Sequence, residues 1–372
     1  MSSDSPPKTD VAQVAYNVIH LVLLAVTLVV VVVVGLVIWR SRQEWAEVAE
    51  SEPTAAVVDG ATPMDQSHFS PVQVVAAAPP ITQVPVVSAE VASRALYEDE
   101  QVVAVVIGGQ ARAYPLNILT GPDREVFNDE LGGEPIAVTW CHLCNSAVTF
   151  SRRVDQAVIT LAVSGMLWEG NLVMVDHPTG SLWSQLQGRA MRGPLAGKSL
   201  TILPSVVTTW GDWKKRYPTT TAVLMSRTAD VYRRSGADPH MGLCLAIERN
   251  GDAIAFDFAD LARHLAIQHT IADTPILVSF DRQSFTAAAF DRRLDGRILS
   301  FEVQDDHIIE SATASRLDPV SGSFVDGPLQ GKSLSAIPSM IADPATWSLF
   351  HPDGLLWRAP HNPPHDLPAV PR

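Results

Sequence analysis

Ile136-Ala-Val-Thr-Trp-Cys-His-Leu-Cys-Asn-Ser-Ala-Val-Thr-Phe150 recurs further along the chain as Ile276-Leu-Val-Ser-Phe-Asp-Arg-Gln-Ser-Phe-Thr-Ala-Ala-Ala-Phe290. The offset is 140 (276 − 136), and it carries Arg152-Arg153 onto Arg292-Arg293. An internal repeat has to be recognised before fold class is argued. Two long copies imply a duplicated domain. Each copy alternates β-branched and apolar residues, runs into a four-residue turn and resumes, which is the pattern of a hairpin. In the first copy that turn is the C-x-x-C of Cys141 and Cys144, whereas in the second the same positions are Asp281 and Ser284. A frame that recurs without its thiols does not need them to fold. Cys141 and Cys144 are therefore read as functional.

Working outward, Ala111-Arg-Ala-Tyr-Pro-Leu-Asn-Ile-Leu119 answers Ala253-Ile-Ala-Phe-Asp-Phe-Ala-Asp-Leu261. Gly193-Pro-Leu-Ala-Gly-Lys-Ser-Leu200 answers Gly327-Pro-Leu-Gln-Gly-Lys-Ser-Leu334. Between these, Asp176-His-Pro-Thr-Gly-Ser181 is matched to Asp318-Pro-Val-Ser-Gly-Ser323, a register that leaves Ser184 to Met191 without a counterpart. Gly108-Gly109 and Asn250-Gly251 separate apolar alternating runs and supply the positive φ that two-residue hairpins demand. Helices are expected only over Pro115 to Leu119, Trp210 to Tyr217 and Ala259 to Gln268. The fold class is mainly β with a few short helices, in two tandem homologous halves preceded by one transmembrane helix.

Upstream, Leu21 to Trp39 is apolar save for Thr27 and Gly35, and roughly 20 such residues span a bilayer. The block is too long for a signal-peptide core and runs into Arg40 and Arg42, so it reads as a retained anchor. We divide the chain into a polar tail (1–13), a single membrane span (14–39), a Pro- and Ala-rich tether (40–79), a first repeat bearing the C-x-x-C (80–232) and a second, degenerate repeat (233–372). Arg40 and Arg42 place the body in the cytoplasm by the positive-inside rule. The tether's composition favours the opposite side, and the body is assigned an extracytoplasmic location. The formal net charge of −13 on 372 residues and the lack of a basic run exclude a nucleic-acid surface. No glycine-rich phosphate loop follows a strand.

The residues Ala111 to Leu119, Val126-Phe-Asn-Asp129, Val138 to Asn145, Ser164-Gly165, Asn171-Leu-Val-Met174, Asp176, Thr179 to Gln185 and Gly188 together resemble the DUF3179 family over roughly Pro80 to Pro352. That resemblance implies a shared fold and no activity, because the family is functionally uncharacterised. The family pattern has Pro where this chain has His142.

Two chemistries suit the thiols. Cys141 and Cys144 can cycle between dithiol and disulfide, with His142 supplying a charge that lowers one thiol's pKa. Alternatively the pair holds a soft metal, Cu(I) or zinc. Zinc needs further ligands from His142, His177 or Asp176. The β-rich segment Asn145-Ser-Ala-Val-Thr-Phe150 argues against the strand-to-helix setting of thioredoxin-like motifs. Cys244 is read as a buried small hydrophobe. The self-comparison also nominates Trp183 and Gln185, absent from the second copy, as walls of a pocket beside the thiols, with Asn145 and Tyr114 as further lining. The competing reading is a non-enzymatic ligand-binding or assembly protein in which the C-x-x-C is structural.

Overall fold

The structure is a computed structural model that describes residues 69–121, 123–226 and 242–358. The expected span at 14–39, most of the tether and the 232/233 boundary lie outside the described residues. No described helix is long and apolar enough to cross a membrane.

The repeated segment folds as a three-stranded antiparallel meander in each half. In the first, Val126–Leu131, Glu134–Cys141 and Ser146–Ser151 pair so that Trp140 faces Ala147 and Cys141 faces Ser146. In the second, Ala266–Ile271, Thr274–Asp281 and Thr286–Asp291 pair so that Phe280 faces Ala287 and Asp281 faces Thr286. Side chains alternate along a strand, and here both faces are covered. Ile136, Val138 and Trp140 enter one core cluster, while Ala137 and Cys141 enter another.

A glycine-turn hairpin precedes each meander. Gln101–Ile107 and Gln110–Pro115 join through Gly108-Gly109, and Cys244–Arg249 and Asp252–Asp257 through Asn250-Gly251, all four turn residues at positive φ. Five short helices complete the described part: α1 (Ala89–Ala92), α2 (Leu116–Leu119), α3 (Trp210–Arg216), α4 (Phe258–His264) and α5 (Pro344–Phe350). Helix α4 stops earlier than the apolar pattern suggests, because Leu265 takes φ +59 and the next strand starts at Ala266. Helices α1 and α5 have no counterpart in the sequence reading.

The halves are interlocked. An eight-stranded sheet runs Leu355–Trp357, Asp252–Asp257, Cys244–Arg249, Met340–Ala342 from the second half, then Ser146–Ser151, Glu134–Cys141, Val126–Leu131 from the first, with Ile202–Leu203 added on Ser146–Ser151. The junction is the pairing of Ile341 with Ala147. Tyr114, Phe127 and Trp140 share one buried cluster with Phe256, Phe280 and Ile341. Each such side chain contributes on the order of 1.5–3 kcal/mol when fully buried, so this largest cluster is a core that the two halves share.

The register of the repeat changes part-way. Through the Arg152 and Arg292 turns the offset is 140, since Arg152 and Arg292 donate backbone N–H groups to Pro135 and Pro275. The next hairpin is Leu161–Trp168 with Asn171–Asp176 in the first half but only Phe301–Gln304 with His307–Glu310 in the second. Beyond it the offset is 134, six residues fewer. Asp176 N–H donates to Ser181 O as Glu310 N–H does to Ser315 O, and Leu200 N–H donates to Gly188 O as Leu334 N–H does to Gly322 O. The true partner of Asp176 is thus Glu310, with Thr179 and Ser181 answered by Thr313 and Ser315. The match to Asp318 is corrected: Asp318 stands where the first half has Ser184, and the stretch after it is present.

Residues 69–79, read as tether, are part of the body. Val72–Gln73 pairs with the Leu161–Trp168 strand, and Phe69 packs edge-on against Trp168, which packs edge-on against Phe350.

Candidate functional site

Cys141 ends a central strand and Cys144 lies in the turn that follows, with Asn145 held at φ +46 before Ser146 opens the return strand. The motif is a hairpin tip, not a helix start. Both thiols are free and buried; Cys144 retains 6% exposure and Cys141 none.

The sulfur of Cys144 is the focus of a buried polar network. Asn171 Nδ2 lies 3.1 Å from it and Ser146 Oγ 3.1 Å from it. Asn171 Nδ2 also donates to Gln185 Oε1 at 2.8 Å, Ser146 Oγ lies 2.8 Å from the same oxygen and turns its single proton to Cys144 Sγ when that sulfur ionises, and Gln185 Nε2 donates to Thr139 Oγ1 at 3.1 Å. Donors aimed at a sulfur favour its ionised form. The Cys144 pKa is lowered to about 7, first by the hydrogen bond from Cys141 and then, against burial, by Ser146 and Asn171. Cys141 moves the other way, well above the ordinary thiol range, because its proton is shared with Cys144 and because it is buried. The pair is therefore polarised, with Cys144 the sulfur that ionises.

His142 Nδ1 sits 2.8 Å from Glu125 Oε1, and that hydrogen bond raises the imidazole pKa against the opposing effect of burial. Charge on Cys144 acts on the imidazole in the same direction. Leu143, between His142 and Cys144, is 59% exposed.

The second half closes the site. The N–H of Asp343, the N-cap of α5, donates to Cys144 O at 3.3 Å, while its side chain accepts from Thr346 N–H. Trp347 and Phe350 of α5 pack in the cluster that holds Cys141, Cys144 and Trp183. Reciprocally, α3 of the first half covers the second half's equivalent turn. Arg216 there reaches Asp281, the counterpart of Cys141, at 2.8 Å, Asp318 at 2.9 Å, and Asp212.

Of the residues nominated from sequence, Gln185 lies in the network. Trp183 is buried in the same cluster but gives its indole N–H to Asp176 at 2.9 Å. Asn145 is an exposed turn residue. Tyr114 lies in the other core cluster, its hydroxyl donating to Asp129 at 2.7 Å. Asp176 is occupied by Thr179 and Trp183, and His177 is exposed. Cys244 is buried, with its thiol pushed far up by burial, and donates to Ala342 O at 3.3 Å. Thr139, Ser146, Asn171 and Glu125 were not nominated. All four change in the second half, to Ser279, Thr286, a deleted position and Leu265; the comparison of the two copies holds that signal at offset 140 for three of them, and only Asn171 needs the shortened hairpin to be recognised.

Among the described residues no group of three or more His, Cys, Asp or Glu side chains is placed to hold an ion. The neutral amide and hydroxyl neighbours of the thiols do not complete a four-ligand zinc site. Two thiolates alone meet the needs of Cu(I).

Compared with known families, residues 76–244 and again 242–362 match the model described as a protein of unknown function, DUF3179. The chain belongs to the DUF3179 family and carries two tandem copies of its domain. No curated protein and no solved structure matches it.

Proposed function

Taking that membership as the premise, we propose that this protein is a membrane-anchored thiol-disulfide exchange protein in which Cys144 attacks and Cys141 resolves. The observation that carries the reading is the convergence of Cys141, Ser146 and Asn171 on one sulfur. In the reaction, Cys144 thiolate attacks one sulfur of a partner disulfide and the other departs as a thiolate. Cys141 then loses its proton to that thiolate and attacks Cys144 Sγ, releasing the partner's second thiol. One protein dithiol is oxidised and one partner disulfide reduced, and the reverse direction uses the same atoms. Anchoring by residues 14–39 with the body outside the cytoplasm suits this chemistry, since disulfides persist there.

The burial of both sulfurs favours a second reading, in which the pair is a structural element of a non-enzymatic binding or assembly protein. Redox titration of the full-length chain in glutathione buffers, with trapping of a mixed disulfide in Cys141→Ser, separates the two. Exchange predicts reversible Cys141–Cys144 oxidation and a mixed disulfide on Cys144. A pair that stays unreactive until the chain is denatured would reject exchange. Cu(I) analysis of the same preparation tests the soft-metal alternative.

A further inference from the structure

The seam between the first half's Ser205–Thr209 strand and the second half's Thr286–Asp291 strand forms a half-open cavity of about 220 Å³. Its walls include Trp213 and Tyr217 from the end of α3, Phe290 and Ile337, with the hydroxyl-bearing Ser205, Ser321 and Ser339 between them. At the pseudo-equivalent positions beside the thiols the side chains are bulkier. Where the cavity has Val206, Ala288, Ala289, Val320, Ser321 and Ala336, the thiol side has Met340, Val148, Thr149, Leu186, Gln187 and Ile202. Every one of those six replacements is larger; Tyr217, answered by His351, goes the other way. Pro204, Ser205, Trp213 and Phe290 are identical to their partners Pro338, Ser339, Trp347 and Phe150. The frame of the wall is kept and its filling is trimmed.

We propose that this cavity is a binding site for a small, uncharged aromatic molecule of one or two rings. Size and chemistry set the class. A cavity of roughly 150 Å³ lined by apolar side chains holds benzene, so 220 Å³ admits a second ring. The wall is apolar and aromatic, as in small-molecule sites generally, with a few hydroxyls to fix orientation. No lining side chain carries a charge to hold an anion. Arg216, next in the chain to lining Tyr217, is already paired with Asp212, Asp281 and Asp318, a cluster with a surplus of two negative charges. Asp318 in turn accepts from lining Ser321 at 3.0 Å. The site is separate from the thiols and does not depend on their role.

The test uses the reduced full-length chain with indole as probe and benzoate as its charged comparison, read by calorimetry and by thermal stability. Wild type is expected to bind indole saturably and one-to-one, with benzoate at least tenfold weaker. Ala288→Val and Ala336→Ile, which install the residues of the bulkier counterpart, should each weaken indole at least tenfold while leaving Cys144 alkylation unchanged. Ala336 is exposed, so its variant keeps the test intact if the buried one fails to fold. Absence of saturable binding, equal binding of benzoate, or unchanged binding in Ala336→Ile would overturn the proposal.

Discussion

Replacing Ser146 by Ala tests the polarised thiol pair most directly. The side chain is fully buried and touches Cys144 Sγ at 3.1 Å, while Gln185 Oε1 keeps its other donor, Asn171. The change therefore removes one donor to the sulfur and opens almost no void. A hydrogen bond to a charged acceptor contributes about 1.5 kcal/mol or more, and 1.36 kcal/mol is about one pKa unit. Cys144 should move from about 7 to roughly one unit higher. At about pH 7 its thiolate fraction then falls from about a half to about a tenth.

The rate does not fall in proportion. A more basic thiolate is a better nucleophile, with a Brønsted slope of about 0.4–0.5, so one unit returns roughly threefold. The variant should react with a small aromatic disulfide about twofold slower than wild type near pH 7 and about threefold faster near pH 9, the two curves crossing between. Stopped-flow exchange on the reduced full-length chain, with the site identified by mass spectrometry, reads this out. Curves that run parallel would mean that Ser146 governs access and not ionisation. A wild-type Cys144 titrating in the ordinary thiol range would refute the reasoning outright.

Three further outcomes follow from the same geometry. Because the folded pKa of Cys144 lies below its ordinary value of 9.0, the folded chain releases that proton first. The reduced protein should gain up to about 2 kcal/mol over Cys144→Ser as pH rises from about 7 to 9, and lose it as pH falls through about 7, measured by denaturant unfolding. Arg216→Met leaves Asp212, Asp281 and Asp318 together without their cation and should cost about 3–5 kcal/mol near neutrality. Asp318 is held low by Arg216 and the Ser321 N–H against burial, so that deficit should shrink once pH drops below about 4. Asp343→Ala removes the cap of α5, costing about 1 kcal/mol, and should raise the rate of Cys144 alkylation at every pH without moving its midpoint. A shifted midpoint would show that α5 acts on the ionisation itself.

The local architecture was legible because its signals are local. Gly108-Gly109 and Asn250-Gly251 demand positive φ, and the alternation from Ile136 to Trp140 demands a strand. Two errors have physical causes. Shortening a hairpin by four residues on one strand (8 − 4) and two on the other (6 − 4) is an even change on each, so alternation and facing survive and the six-residue change of register leaves no periodic trace. Asp318-Pro-Val-Ser-Gly-Ser323 then resembles Asp176-His-Pro-Thr-Gly-Ser181 because any Asx turn selects Asp, Ser or Thr, and Gly. The pairing actually observed, Glu310 to Thr313 as Asp176 to Thr179, uses a longer carboxylate and a less conspicuous sequence. The strand junction of Ile341 with Ala147 was invisible for a different reason: strand propensity says that a segment will pair, not with which distant edge.

That junction alters what the loss of the thiols means. A second half that had merely decayed would be free to lose its packing surfaces as well. Instead, its Met340–Ala342 strand extends the sheet that carries Cys141, and its Trp347 and Phe350 pack in the thiol cluster. The residues of α5 that pack around the thiols are therefore part of the first half's core, while Asp281 pairs with Arg216 at the end of α3. The covering surface persists and the covered surface diverges: toward the Arg216 ion cluster at the turn, and toward smaller side chains along the seam beside Phe290.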